Sequence, residues 1–171
     1  MKKIVLGLTV LIAGVYFSGC LKSNNNPGCP YQEVTSAKRV DTLRDEVKEY
    51  LNSKGITNVI EDSSGLFYTI HAAGTGSDSA SACSVMTVTY KGKLKNDAIF
   101  DQSSDPVNFY LGTVITGWQL GLRKIKAGGK MTLYIPSNLG YGATPKKDTQ
   151  GNTVIPANSM LIFDVDLVNL Q

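Results

Sequence analysis

The pattern of apolar and polar residues predicts a sheet-rich domain in the second half of the chain. Strands are predicted where apolar and polar residues alternate or where β-branched and aromatic residues cluster, at 66–70, 85–94, 98–100, 107–111, 130–135 and 160–170. A loop is expected at 101–106, and a short helix follows Trp118. About five or six strands and one short helix close a core only if an antiparallel sheet curls over the helix, so we expect an α+β fold.

An amphipathic helix is predicted at 36–54, ahead of this domain. Its apolar face is formed by Val40, Leu43, Val47, Tyr50 and Leu51. Thr35 or Ser36 can cap its first turn, and Gly55 fits the left-handed conformation that ends many helices. The apolar stripe is short for a coiled coil, so we expect the helix to pack on the main domain rather than to form a dimer.

The amino terminus has the pattern of a secretory signal. Lys2 and Lys3 form a basic start, residues 4–17 are an apolar run broken only by small residues, and Ser18-Gly19-Cys20 follows. Small residues before a cysteine resemble a bacterial lipobox, in which the signal is cut before the cysteine and the cysteine receives lipid. We expect a lipid on Cys20; ordinary signal cleavage and an uncleaved anchor are the alternatives.

The expected organisation is a signal at 1–19, a lipidated cysteine and tether at 20–35, a helical extension at 36–65 and a main domain at 66–171. Residues 21–28 are rich in Asn, Pro and Gly and lack an apolar pattern, which is typical of a flexible tether. The predicted location is the cell envelope, with the lipid in a membrane. We expect the outer membrane, on its periplasmic or surface face, and a monomer.

Cys29 and Cys83 remain as a pair once Cys20 is assigned to the lipid. Disulfides persist in exported proteins, and closing this loop would stabilise the fold by roughly 4 kcal/mol in a chain-entropy model. We expect a disulfide; two unpaired buried thiols are the alternative. His71 is the only histidine and no cysteine pair has metal-ligand spacing, so no metal site is predicted.

The charge balance gives no reason to expect nucleic acid. The formal net charge is +3, and removal of Lys2 and Lys3 with the signal leaves 15 basic residues against 14 acidic ones. A protein so close to neutral has no strong field for a polyanion or for an acidic partner. Gly74-x-Gly76 lacks the third glycine or the lysine of a phosphate-binding loop, so no nucleotide cofactor is predicted.

Trp118 is the only tryptophan, and it begins the short helix shortly after β-branched Val114 and Ile115. Its indole is a large, flat apolar surface with one polar edge, which suits the floor of a pocket. Spacing alone favours an ordinary core side chain. The motifs around Trp118 favour the pocket floor instead.

A series of short motifs occurs in one order along residues 66–171. They are Val88-Thr89-Tyr90-Lys91-Gly92-Lys93-Leu94, Phe100-Asp101-Gln102-Ser103-Ser104, Val114-Ile115-x-Gly117-Trp118-x-x-Gly121-Leu122, Gly128-Gly129-Lys130, Ile135-Pro136, Tyr141-Gly142, Ile155-Pro156-Ala157-Asn158 and Leu161-x-Phe163-Asp164-Val165-x-Leu167. Each motif is weak, but the ordered series resembles the FK506-binding protein (FKBP) family of peptidyl-prolyl cis-trans isomerases. With its amino-terminal additions, the chain resembles the lipoprotein FKBPs of Bacteroidetes-type bacteria.

The resemblance implies both a fold and a site. The fold is FKBP-like, an antiparallel sheet wrapped around the short helix. Trp118 is then the floor of a pocket. Its walls are Tyr90, Phe100, Val107, Val114, Ile115, Ile155 and Phe163. Asp101 and Tyr141 become polar groups at the rim, and the backbone N–H of Ile115 donates to a ligand carbonyl.

The implied activity is cis-trans isomerisation of X-Pro bonds in unfolded or exported polypeptides, with no cofactor. Rotation breaks amide resonance over a barrier of roughly 18–20 kcal/mol, and no covalent bond is made or broken, so neither a nucleophile nor a metal is required. An apolar pocket can hold the prolyl ring and favour the less dipolar twisted amide. FK506-like macrolides are the expected inhibitors.

Two alternatives keep the same fold, because fold alone does not decide function. One is a non-catalytic chaperone or peptide-binding module, and the other is a structural lipoprotein whose isomerase fold has lost its activity. Val107 stands where many members have Phe, and residues 102–106 lack the Arg that many members place after the Asp; both favour the chaperone. Joint retention of the other site residues favours the enzyme. These are Tyr90, Phe100, Asp101, Ile115, Trp118, Tyr141 and Phe163.

The polar loop at 144–153 borders the pocket and is expected to influence substrate choice.

Overall fold

The structure is a computed structural model that describes residues 28–76 and 80–171. The predicted signal, the lipidation at Cys20 and the tether up to residue 27 lie outside the described residues. The helices are α1 (Asp41–Ser53) and α2 (Thr116–Gly121), and the strands are β1 (Ile60–Glu61), β2 (Phe67–Ala72), β3 (Val85–Leu94), β4 (Ile99–Tyr110), β5 (Gly129–Ile135), β6 (Lys146–Lys147), β7 (Thr153–Ile155) and β8 (Leu161–Leu170). Short 3-10 turns occupy Leu111–Thr113, Leu122–Lys124 and Ser137–Leu139.

Six of the strands form one antiparallel sheet in the order β1-β2-β5-β8-β3-β4. The last strand in sequence, β8, therefore lies in the middle, hydrogen-bonded to β5 on one side and to β3 on the other. The predicted antiparallel sheet and its short helix are confirmed. Among the described helices, none is both long and apolar enough to cross a bilayer.

The short helix α2 packs directly on the inner face of the sheet, because two of its residues are glycines. A Cβ atom on Gly117 would lie 2.6 Å from the side chain of Ile135, and one on Gly121 would lie 2.4 Å from that of Leu133. Both distances are shorter than any carbon–carbon contact, so only glycine allows this approach. The close packing places Trp118 against the inner face of β3 and β8.

The helix α1 covers part of the outer face of the sheet. Its buried residues Val47 and Leu51 pack with Phe67, Tyr134 and Ile162 in a second, smaller apolar cluster. Successive residues of a strand face opposite sides of the sheet. These three residues of β2, β5 and β8 therefore face the outer cluster, and their neighbours along each strand face the main core. The predicted packing of this helix on the main domain is confirmed for the described chain.

The helix begins at Asp41, so the predicted start at Ser36 is wrong. Val40 precedes the first turn with extended backbone (φ −115°, ψ 109°), and no side chain caps that turn. Residues 36–40 are not helical; they continue a segment that lies along the domain, where Val34 and Ala37 pack against the main core. The predicted end is correct, since Gly55 has a φ of +66°.

The segment before α1 is fastened to the domain at several points. Cys29 and Cys83 are joined by a disulfide with their Cα atoms 5.7 Å apart, as predicted. The ring of Tyr31 lies 5.6 Å from that of Tyr110. The carboxylate of Glu33 accepts a hydrogen bond from the backbone of Ala82 at 2.6 Å and pairs with Arg123. Partial burial acts to raise the pKa of Glu33, but these two partners lower it overall.

Two other segments differ from the prediction. Residues 101–106, expected as a loop, lie within β4, where the pairing passes from Tyr90–Ser103 to Val88–Val107 and leaves an excess of residues on β4. This bulge absorbs the extra residues, so the strand stays continuous from Ile99 to Tyr110. The long connection before β8 contains the hairpin of β6 and β7, in which Lys146 pairs with Ile155.

Candidate functional site

An aromatic cluster surrounds Trp118 on the inner face of the sheet. The Trp118 side chain is 4% exposed. Ring centroids of Phe163, Tyr90 and Phe109 lie 5.2, 5.5 and 6.0 Å from the indole, with interplanar angles of 84°, 82° and 86°. Edge-to-face contacts of this kind bring the positive edge of one ring to the negative face of another, which fixes the indole in one orientation.

The other predicted wall residues pack against the same core cluster. Phe100 meets Phe163 edge to face at 5.4 Å. Ile155 is buried, whereas Val107, Val114 and Ile115 are partly exposed at the edge of the cluster, along with Tyr141. The structure thus places these wall residues in or against the same core cluster as Trp118, and it brings Tyr90 and Phe163 into direct contact with the indole. Their catalytic and binding roles stay predictions.

A glycine on β3 makes room for two of these rings. A Cβ atom on Gly92 would lie 2.6 Å from Cζ of Phe100 and 2.8 Å from Cε1 of Phe163. The two rings therefore lie directly over the backbone of the strand. Without this gap, Phe100 would be displaced from its edge-to-face contact with Phe163.

Asp101 and Tyr141 form a polar rim together with the hydroxyl of Tyr90. Tyr90 donates a hydrogen bond to Oδ2 of Asp101 at 2.8 Å. Burial raises the pKa of Tyr90 above its ordinary value, and the Asp101 carboxylate raises it further. Burial and the charge of Asp101 also raise the pKa of Tyr141. Both phenols are therefore neutral hydrogen-bond donors at physiological pH.

The turn before α2 leaves the backbone N–H of Ile115 without an acceptor in the described chain. The carbonyl of Ile115 accepts from the amides of Trp118 and Gln119 at 2.9 and 3.1 Å. The buried side chain of Gln119 donates from Nε2 to the carbonyl of Val114 at 2.8 Å and so braces the turn. Within the described residues, no acceptor is found for the N–H of Ile115, which the resemblance assigns to a ligand carbonyl.

Three residues of this region were missed by the sequence reasoning. Phe109 contacts both Trp118 and Tyr90. Alternation along β4 from Val107 could have revealed it, since residues two apart on a strand share a face. Gln119 gave a weak signal, as a polar residue inside an apolar helix. Lys146, with Nζ 4.7 Å from the ring centroid of Tyr141, lies in the polar loop that was expected to border the pocket, but it was not singled out within that loop.

Elsewhere in the described chain, polar side chains form hydrogen-bonded contacts and line a surface cleft. Nε2 of His71 lies 2.9 Å from Oγ1 of Thr132 on the outer face of the sheet. No group of three or more His, Cys, Asp or Glu residues in the described ranges could hold a metal ion. A surface cleft of about 590 Å³ is lined mostly by polar side chains, with Asp164 and Asp166 among them, and does not include Trp118.

A sheet wrapped over a short helix, with aromatic rings gathered on that helix's tryptophan, defines an FKBP-like domain. The FKBP-type peptidyl-prolyl cis-trans isomerase family matches residues 76–168. The chain is 41% identical over 128 residues to FKBP-type peptidyl-prolyl cis-trans isomerase FkpA of Buchnera aphidicola subsp. Schizaphis graminum, which covers 73% of this chain and 47% of the relative. The chain therefore belongs to the FKBP-type peptidyl-prolyl cis-trans isomerase family.

Solved structures agree with this assignment. The crystal structure of FkpA from Escherichia coli has a TM-score of 0.64 and 36% identity, covering 77% of this chain and 60% of that one. A peptidyl-prolyl cis-trans isomerase from Pseudomonas syringae pv. tomato has a TM-score of 0.64 and 28% identity, covering 80% of this chain and 98% of that one. The chain spans about half the length of the curated relatives it matches.

Proposed function

We propose that the protein is a peptidyl-prolyl cis-trans isomerase acting on X-Pro bonds of unfolded, exported polypeptides. The observation that carries the proposal is the aromatic cluster on Trp118, with the N–H of Ile115 beside it free to donate. An apolar floor suits the prolyl ring, and a nearby donor suits a carbonyl of the same peptide. Membership of the isomerase family supports the same conclusion.

The proposed mechanism is stabilisation of a twisted amide. Planar amide resonance opposes rotation with a barrier of roughly 18–20 kcal/mol. The twisted amide is less dipolar than the planar one, so transfer from water to an apolar pocket costs it less. A hydrogen bond from Ile115, and another from the hydroxyl of Tyr141, would hold the flanking carbonyls in the twisted geometry.

Asp101 has a positioning role in this proposal. The reaction transfers no proton, so a general base has no task. Asp101 accepts the hydrogen bond of Tyr90 at 2.8 Å. That bond links β4 to β3 across the mouth of the pocket and fixes the ring of Tyr90 against Trp118.

The setting we propose is the bacterial cell envelope, with a lipid on Cys20 anchoring a monomer in the outer membrane. The signal-like start and the Cys20 motif support export and lipidation. The disulfide between Cys29 and Cys83 supports an oxidising compartment. FK506-like macrolides would compete for the pocket.

A second candidate is a peptide-binding chaperone that uses the pocket without catalysis. It is favoured by Val107, an aliphatic residue at a wall position that many family members fill with Phe. A smaller wall would grip a prolyl ring less tightly while still admitting an extended peptide.

The test is cis-trans exchange in short X-Pro peptides with the full chain in mild detergent. We expect acceleration that FK506 blocks, that falls at least tenfold in Trp118→Ala and that falls less in Tyr141→Phe. Tyr50→Phe, a change on the outer face of the sheet, is the matched control and should keep the parent rate. A folded parent chain that gives no acceleration would exclude catalysis and leave the chaperone.

A further inference from the structure

Lys146 lies beside Tyr141, at the polar rim of the aromatic cluster. It pairs with Ile155 in the hairpin of β6 and β7, and Ile155 is buried in the same core cluster as Trp118. Its Nζ atom lies 4.7 Å from the ring centroid of Tyr141, the hydroxyl-bearing residue of the rim. A cation at this distance over an aromatic ring is attracted by the ring's negative face, which keeps the ammonium near the mouth.

The charge of Lys146 is not neutralised by an ion pair within the described chain. No carboxylate of the described chain lies within ion-pair distance of its Nζ, whereas Lys54, Lys93 and Lys124 each pair with an aspartate. The acidic residue of the hairpin, Asp148, accepts hydrogen bonds from the turn that follows it. An ammonium that has no carboxylate partner in the described chain, and that lies beside the proposed substrate site, is available to a substrate carboxylate.

We propose that Lys146 makes this site selective for X-Pro segments that carry Asp or Glu next to the proline. The proposal rests on the proposed isomerase site and adds its substrate class. A prolyl ring on Trp118 places the flanking residues at the rim, where Tyr141 and Lys146 lie. The ammonium would attract an acidic side chain there and repel a basic one.

The expected size of the selectivity follows from the exposure of the pair. Ion pairs at protein surfaces change affinities by about two- to fivefold, and salt weakens them. The attraction acts on bound substrate and twisted amide alike, so it should lower KM for acidic peptides and leave kcat unchanged. High salt should abolish most of the preference.

The experiment compares matched peptides with Glu, Leu or Lys before the proline, and a second set with the same residues after it. The full chain in mild detergent is assayed for cis-trans exchange and, separately, for peptide binding through Trp118 fluorescence. We expect about two- to fivefold preference for Glu over Leu in kcat/KM, lost in Lys146→Gln and kept in Lys146→Arg. Lys147→Gln is the control, since it removes the same charge from an exposed position opposite Thr153.

The two readouts separate this inference from the proposed function. Acceleration that is equal for Glu, Leu and Lys peptides, or a preference that survives Lys146→Gln, would overturn the selectivity. A chain that binds Glu peptides preferentially through Lys146 but accelerates none would keep the selectivity and exclude catalysis. Equal binding of all peptides with no acceleration would overturn both.

Discussion

The hydrogen bond between Tyr90 and Asp101 allows a sharp prediction about stability. Tyr90→Phe removes one oxygen atom and keeps the ring that contacts Trp118 edge to face. The lost bond is 2.8 Å long and has a carboxylate as acceptor. The variant therefore tests the polar contact without opening a cavity in the aromatic cluster.

The expected loss is about 1.5 kcal/mol. Hydrogen bonds to charged groups contribute roughly 1.5–3 kcal/mol to the free energy of unfolding, and the lower figure applies where water can reach the acceptor left without its donor. Asp101 is partly exposed, so water can replace the phenol. With a urea m-value of about 2 kcal/mol/M, the unfolding midpoint should fall by about 0.7 M at unchanged m.

The assay is urea unfolding followed by the fluorescence of Trp118, the only tryptophan. Tyr90→Phe, Asp101→Ala and the double variant complete a mutant cycle, and we expect a coupling of at least about 1 kcal/mol. Tyr50→Phe on the outer face should change stability by less than about 0.5 kcal/mol. A coupling below about 0.3 kcal/mol would refute the contact, because the two side chains would then act independently.

Three further predictions follow from other contacts. Gly92→Ala drives a methyl group into Phe100 and should cost about 1–3 kcal/mol in urea unfolding; an unchanged midpoint would contradict the packing. Stability should fall as pH rises above about 10, because the unfolded chain releases the Tyr90 proton while the folded chain, with its raised pKa, retains it; Tyr90→Phe should flatten that slope in unfolding measured from pH 8 to 11. Cys83→Ser should lower the free energy of unfolding by about 2–4 kcal/mol, and dithiothreitol should destabilise the parent chain but not this variant in thermal unfolding. If dithiothreitol destabilised the variant as much as the parent, the disulfide would be refuted.

The regular parts of the sheet were predictable because their side chains alternate. β3, β5 and β8 each place apolar residues on the inner face at every second position, and these strands appear close to where the pattern placed them. The short helix was also found, since its apolar spacing is a local signal, although it begins at Thr116, two residues ahead of Trp118. Local chemistry therefore accounts for the frame around Trp118.

The missed features depend on contacts between distant parts of the chain. The helical pattern extends back to Ser36, but Cys29 and Glu33 tie the preceding segment to the domain and the helix begins only at Asp41, which local propensity does not predict. Residues 101–106 were predicted as a loop because they are polar, and their pairing with β3 leaves no pattern in their own sequence. The contact of Lys146 with Tyr141 depends on a two-residue strand, too short for any periodic signal.

The order of the strands in the sheet constrains when the domain can fold. β1, β2 and β5 lie on one side of β8, and β3 and β4 lie on the other. Until the segment that becomes β8 is available, these two groups share no strand and cannot enclose a common core. Folding of the domain therefore waits for β8, and a chain that still lacks this strand would expose the apolar faces of both groups to water.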